Sequence, residues 1–89
     1  MKFEWDEAKR AANLRKHGVD FADAVGALLD PAGLVLEDAD AEGEVRYVTL
    51  GRGYSDRILL VVWTERRADV LRIISARKAS PAEARHYED

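Results

Sequence analysis

The chain predicts an α+β fold, and three observations carry that reading. Well-capped helical patterns fill the first thirty residues, β-branched and aromatic runs bounded by turn residues fill most of the span from Leu34 to Arg77, and a capped helix follows. With 89 residues, 47% hydrophobic and 35% charged, the chain suits a single domain over 1–89. A chain of that size hides about 60–65% of the surface its unfolded form exposes.

Phe3-Glu4-Trp5 has room only for a short extended piece. Asp6 is a good N-cap and Glu7 supports the positive end of the helix dipole, so a helix is expected from Glu7 to His17, where alanine, lysine and arginine dominate. Ala8, Ala11 and Leu14 share one side of it, while Lys9, Asn13 and Lys16 form a basic outer stripe on the other. Gly18 supplies the left-handed stop. Asp20 caps a second helix whose Phe21, Ala24, Val25 and Leu28 fall on one stripe, and Asp30-Pro31 ends it. The short connection predicts that the two helices pack as a hairpin.

Leu34-Val35-Leu36 reads as an edge strand leading into a polar loop at 38–44. Val45–Arg52, Arg57–Glu65 and Val70–Arg77 read as strands joined by short turns, hence an antiparallel meander. Ser80-Pro81-Ala82-Glu83 is a capping box with proline at the first helical position, opening a short helix that ends near Tyr87. The expected architecture is an antiparallel sheet of about four strands, two N-terminal helices on one face and a short C-terminal helix. Pairing 52 with 57 and 65 with 70 places Arg46, Arg52, Arg57, Trp63, Arg72 and Lys78 on one sheet face. Tyr47, Ile58, Leu60, Val62, Leu71 and Ile73 then seat the helices; a one-residue slip would scramble this.

The charge is uneven. The net value is −3, yet residues 19–44 hold eight carboxylates and no Lys or Arg, residues 1–18 hold five cations against three carboxylates, and residues 45–89 hold nine against six. The two ends suit a polyanion, and the acidic segment at 30–44 suits docking of a partner. There is no cysteine, no apolar run near the roughly 20 residues that span a bilayer, and no apolar stretch at the N-terminus. A cytoplasmic protein with no membrane association is expected. Zincin spacing, glycine-rich phosphate loops and serine elbows are missing, and the acidic residues at 38–44 lack EF-hand spacing, so neither metal nor cofactor is expected.

Residues able to carry chemistry remain. Arginines around Trp63 suit RNA, with Arg52, Arg72 and Lys16 holding phosphates and the indole stacking a base; an ordinary sheet rim with Trp63 in the core is the alternative. Arg77 and Lys78, at a strand end beside a helix N-terminus, suit the charge of a phosphorane-like transition state, or else form a solvated terminus. His17 or Glu65 would supply a base and Tyr87 an acid, although His17 also reads as a helix-capping group.

Phe3-Glu4-Trp5-Asp6-Glu7-x-Lys9, Asn13-Leu14-Arg15-Lys16-His17-Gly18-Val19-x-Phe21, Arg46-Tyr47-Val48-x-Leu50-Gly51, Val61–Arg66 and Arg72–Ala79 resemble, in order, the blocks of BrnT-type toxins, and Glu83–Tyr87 resembles their closing helix. This resemblance implies a RelE-like ribonuclease fold and an RNase that inhibits translation. It also implies neutralisation by a ribbon-helix-helix antitoxin in a heterotetramer that meets promoter DNA only through the antitoxin. A non-catalytic antitoxin-binding or RNA-binding module is the alternative.

Overall fold

The computed structural model describes residues 1–38 and 43–88. Eight elements follow in order: β1 (Lys2–Glu4), α1 (Glu7–His17), α2 (Phe21–Leu28), β2 (Leu34–Asp38), β3 (Arg46–Arg52), β4 (Ile58–Arg67), β5 (Val70–Lys78) and α3 (Pro81–Glu88). The strands form one sheet in the order β1-β5-β4-β3-β2. β1 pairs parallel with β5, and every other pairing is antiparallel. The α+β expectation stands, with five strands in place of about four, because the short N-terminal piece pairs with β5. Residues 39–42 of the expected polar loop lie outside the described residues. No helix among the described residues is long and apolar enough to cross a membrane.

Local chemistry sets the helix ends. The Asp6 carboxylate accepts from the Ala8 and Lys9 amides at 2.8 and 3.1 Å, and Gly18 ends α1 at φ +69°. Asp20 accepts from the Ala22 amide at 3.0 Å. The capping box of α3 closes both ways: Glu83 accepts from the Ser80 amide at 2.8 Å, and Ser80 Oγ accepts from the Glu83 amide at 3.2 Å.

The core lies between α2 and the sheet. Phe21, Ala24 and Ala27 meet Leu59, Val61, Ile73 and Ala76, with Val19 between them. Val25 and Leu28 of the expected stripe are half-buried, and Gly26 joins the buried side instead. At Gly51 helix and sheet come close, since a Cβ there would run into the Ala27 carbonyl.

Two readings of the sequence are overturned. The first is the register. Arg52 pairs with Ile58, one residue from the expected partner, and Glu65 pairs with Leu71. A one-residue slip turns a strand over. Leu59 and Val61 therefore face α2, while Ile58, Leu60 and Val62 take the open face. Trp63 turns inward with Leu59: its indole donates to Thr49 Oγ1 at 2.8 Å and stacks on Tyr47 at 4.7 Å. The physical reason is that residues 58–63 are apolar at every position, so alternation cannot choose a face. An irregularity between Val62 and Trp63 also offsets β5 midway.

The second is the polarity of α1. Ala8, Ala11 and Leu14 are exposed, and Asn13, placed in the outer stripe, is the buried residue. β1 pairs only with residues 70–72, which leaves the far half of β5 with an open edge. Asn13 takes that edge: its Nδ2 donates to Ala76 O at 2.8 Å and Val19 O at 2.9 Å, and the Ala76 amide donates to Asn13 Oδ1 at 3.1 Å. α1 thus lies along β5, and the Arg10–Asp20 pair at 2.8 Å joins it to the start of α2 rather than a hairpin interface along both helices.

Candidate functional site

The candidate residues fall into two groups. The first lines a groove along the seam between α1 and β5. Lys9, Glu44, Arg46, Thr64, Arg66, Arg72 and Ile74 surround one hollow. Lys9 and Ile74 continue into a second, lined also by Lys16, His17 and Ser75. On the other side Thr64 and Arg66 lead to a third, where Glu65 sits. The expected residues Arg72, Lys16 and His17 therefore border adjoining hollows, and Glu65 lines the next one from the strand position that pairs with Leu71. Arg46 of the expected basic sheet face and Lys9 of the expected basic helix stripe join them, with Arg66, which the sequence did not single out.

Sheet pairing builds this groove. Glu4, Arg72 and Thr64 stand side by side across β1, β5 and β4. Glu4 is the shared anion: Arg72 Nη1 lies 2.9 Å from its carboxylate, Arg66 Nε 3.7 Å and Arg67 Nη2 3.8 Å. Three guanidiniums share that one carboxylate, and Lys9, Lys16 and Arg46 add cations along the hollows against Glu44 and Glu65. Arg46 lies 3.5 Å from Glu44, and its Nε is buried without a hydrogen-bond acceptor among the described residues. Thr64 is buried and donates to the Val45 carbonyl at 2.7 Å, which ties down the strand that carries Arg46. Among the described residues no group of three or more His, Asp or Glu side chains is placed to hold a metal ion.

The second group gathers at α3. Arg77 is bound by Glu83 through two parallel hydrogen bonds of 2.8 and 2.9 Å. The Arg77 guanidinium holds the Glu83 carboxyl down to about 2. The Tyr87 hydroxyl donates to Asp30, which raises its pKa, and Asp30 also accepts from the Arg52 amide at 2.8 Å. Burial alone would raise the Asp30 carboxyl; these hydrogen bonds outweigh it and lower it. The Arg52 guanidinium sits 5.7 Å from the Tyr87 ring centroid and donates to the Asp56 carbonyl at 2.9 Å. Arg77, Tyr87 and Arg52 thus hold α3 to the sheet, and Lys78 is exposed at the end of β5. The expected catalytic set is divided between two places, and the stacking role given to Trp63 falls on a ring turned toward the core.

Residues 5–83 match the family described as "Ribonuclease toxin, BrnT, of type II toxin-antitoxin system". The chain belongs to the BrnT toxin family. Its fold is similar to the ribonuclease toxin BrnT of Brucella abortus, known from a crystal structure at 1.1 Å resolution. The two share 33% sequence identity at a TM-score of 0.70, over 90% of this chain and 97% of that one. No curated protein matches the chain.

Arg46 and Arg66 lie inside blocks that carry the family resemblance, so their presence was visible. Their convergence was not, because it depends on the parallel pairing of β1 with β5, which brings Glu4 to Arg72. Asn13 did carry a signal: a short amide in the interior of a helix is a weak helix former and often has a partner elsewhere.

Proposed function

We propose that this chain is the ribonuclease toxin of a type II pair, cleaving RNA in the groove between α1 and β5 and thereby inhibiting translation. One observation carries the reading: Arg66, Arg67 and Arg72 share the single carboxylate of Glu4, with Lys9, Lys16 and Arg46 around them. Such a surplus of fixed cations suits a polyphosphate strand, and its affinity for RNA falls steeply with salt.

The chemistry needs no metal, because RNA contains its own nucleophile. A base removes the proton of a 2′-hydroxyl, the 2′-oxygen bonds to the adjacent phosphorus, and the bond to the 5′-oxygen breaks. An acid returns a proton to that oxygen, leaving a 2′,3′-cyclic phosphate and a 5′-hydroxyl. Arg72, with Arg66, neutralises the charge gathering on the phosphorane oxygens. His17, beside Lys9 and Lys16, is the side chain offered for these proton transfers, taking the 2′-hydroxyl proton and returning one to the 5′-oxygen. The partner is a ribbon-helix-helix antitoxin, in a heterotetramer that contacts promoter DNA through the antitoxin.

The test is cleavage of a single-stranded RNA by the purified chain in EDTA, with the product ends analysed, beside growth arrest on induced expression. Cyclic phosphate ends and arrest are expected, and Arg66→Ala/Arg72→Ala should lose the arrest and most of the cleavage. A folded wild type that binds RNA without cutting it, or binds only the antitoxin, would make the chain a non-catalytic module. Cleavage that stops in EDTA and returns with a divalent cation would overturn the metal-free chemistry alone.

A further inference from the structure

The open sheet face changes character beyond the basic groove. Leu34 and Leu36 of β2 pair with Leu50 and Val48 of β3, and Leu60 of β4 extends the apolar patch. α3 borders it with Ala82, Glu83 and His86 but buries none of its own residues. The helix is held by its polar contacts to Arg77 and Asp30, so the patch stays incompletely covered. β2 is also the last strand of the sheet, and its outer edge is unpaired among the described residues. Leu36 is 67% exposed and Val35 56%. An open edge with apolar side chains on both faces is a hazard to a chain that works alone.

The end of the strand is acidic. Glu37 is exposed directly after Leu36, and β2 closes on Glu37-Asp38 with no Lys or Arg in it. We propose that the β2 edge and the apolar groove beside it are the docking surface for the antitoxin, which enters as an extended segment. Its main chain pairs with β2, alternate apolar side chains lie beside Leu34 and Leu36 at the mouth of the groove, and Lys or Arg next to them meets Glu37. This rests on the toxin–antitoxin reading above. Nucleic acid is repelled by the same carboxylates, and a second copy would bring two acidic edges together. A basic, apolar protein segment is the occupant whose charge fits.

The chain is co-expressed with the antitoxin of its pair, and the affinity of the purified partners is measured for wild type, Leu36→Lys, Val35→Lys and Lys16→Glu. Both β2 positions are exposed, so these variants fold, as circular dichroism would verify. Each β2 variant should weaken antitoxin binding by at least about tenfold while leaving RNA cleavage unchanged. Lys16→Glu should lower cleavage and leave antitoxin binding intact. Full antitoxin affinity in both β2 variants would overturn the proposal. So would a dimer of the lone chain, seen by light scattering, that both variants dissociate. A wild type that binds antitoxin through β2 yet cuts no RNA would keep the docking surface and remove the ribonuclease reading, which separates the two failures.

Discussion

Arginine serves different purposes at the two ends of the sheet. At α3, Arg77 meets Glu83 one to one at 2.8 Å, and Arg52 spans Asp56 and the Tyr87 ring. Those cations are consumed in holding the helix. Along the α1–β5 seam three arginines divide one carboxylate. Arg77 has a carboxylate to itself, while Arg72 shares Glu4 with Arg66 and Arg67 at 3.7 and 3.8 Å, so the seam carries the larger excess of positive charge. A strand-end pair such as Arg77-Lys78 looks catalytic in a sequence, and only the folded chain shows that Arg77 is bonded to Glu83 of α3.

The largest expected effect sharpens this contrast. Arg66→Ala/Arg72→Ala should lower the rate of RNA cleavage by about 10²–10³-fold, the scale on which removing transition-state charge stabilisation acts. Arg77→Ala should cut cleavage less than about tenfold, and its main effect should be on α3. Single-turnover rates check both, and an equally severe Arg77→Ala with α3 still docked would erase the distinction. Next in size is Asn13→Ala. It strips partners from both backbone groups of Ala76 and from the Val19 carbonyl, and should cost about 2 kcal/mol, read as a melting point lower by roughly 10 °C.

The matched pair predicts a smaller, pH-dependent effect. The Glu83 carboxyl ordinarily titrates near 4.5 and is held at about 2 by Arg77. A depressed carboxylate stabilises the fold fully above its unfolded value, and that contribution is lost as pH falls from about 4.5 through about 2. α3 should therefore loosen across that window, followed by amide exchange of residues 81–88. Glu83→Gln should cost about 0.5–1 kcal/mol at neutral pH, because the pair is partly exposed. Smallest is Tyr87→Phe, which removes the hydrogen bond to Asp30. It should lower stability by about 0.5–1 kcal/mol with cleavage unchanged. A large loss of cleavage in Tyr87→Phe would restore the tyrosine as the acid.

Much of the fold was legible because its causes are local. Asp6, Gly18, Asp20, Ser80 and Glu83 act within a turn of the helices they start or stop, so α1 and the start of α2 and α3 fall where caps and periodicity put them. β3, β4 and β5 were recognisable from β-branched runs between turns. The candidate site was half legible. Arg72, Lys16 and His17, singled out by their chemistry, line adjoining hollows, and Glu65 lines the next. Arg77, Tyr87 and Arg52 were selected by the same chemistry and belong to the fastening of α3.

The sequence alone determined the element order, the helix caps, the α+β class and the uneven charge, since each depends on residues a few positions apart. Tertiary structure decided the register of β4, the inward turn of Trp63, the burial of Asn13 and the gathering of three arginines around Glu4. Those depend on contacts such as Glu4 with Arg72 and Asn13 with Ala76, between residues more than sixty positions apart. A strand apolar on both faces has no local reason to prefer one. The close approach of Ala27 to Gly51 and the edge of β5 open to Asn13 supply that reason only when the chain has folded.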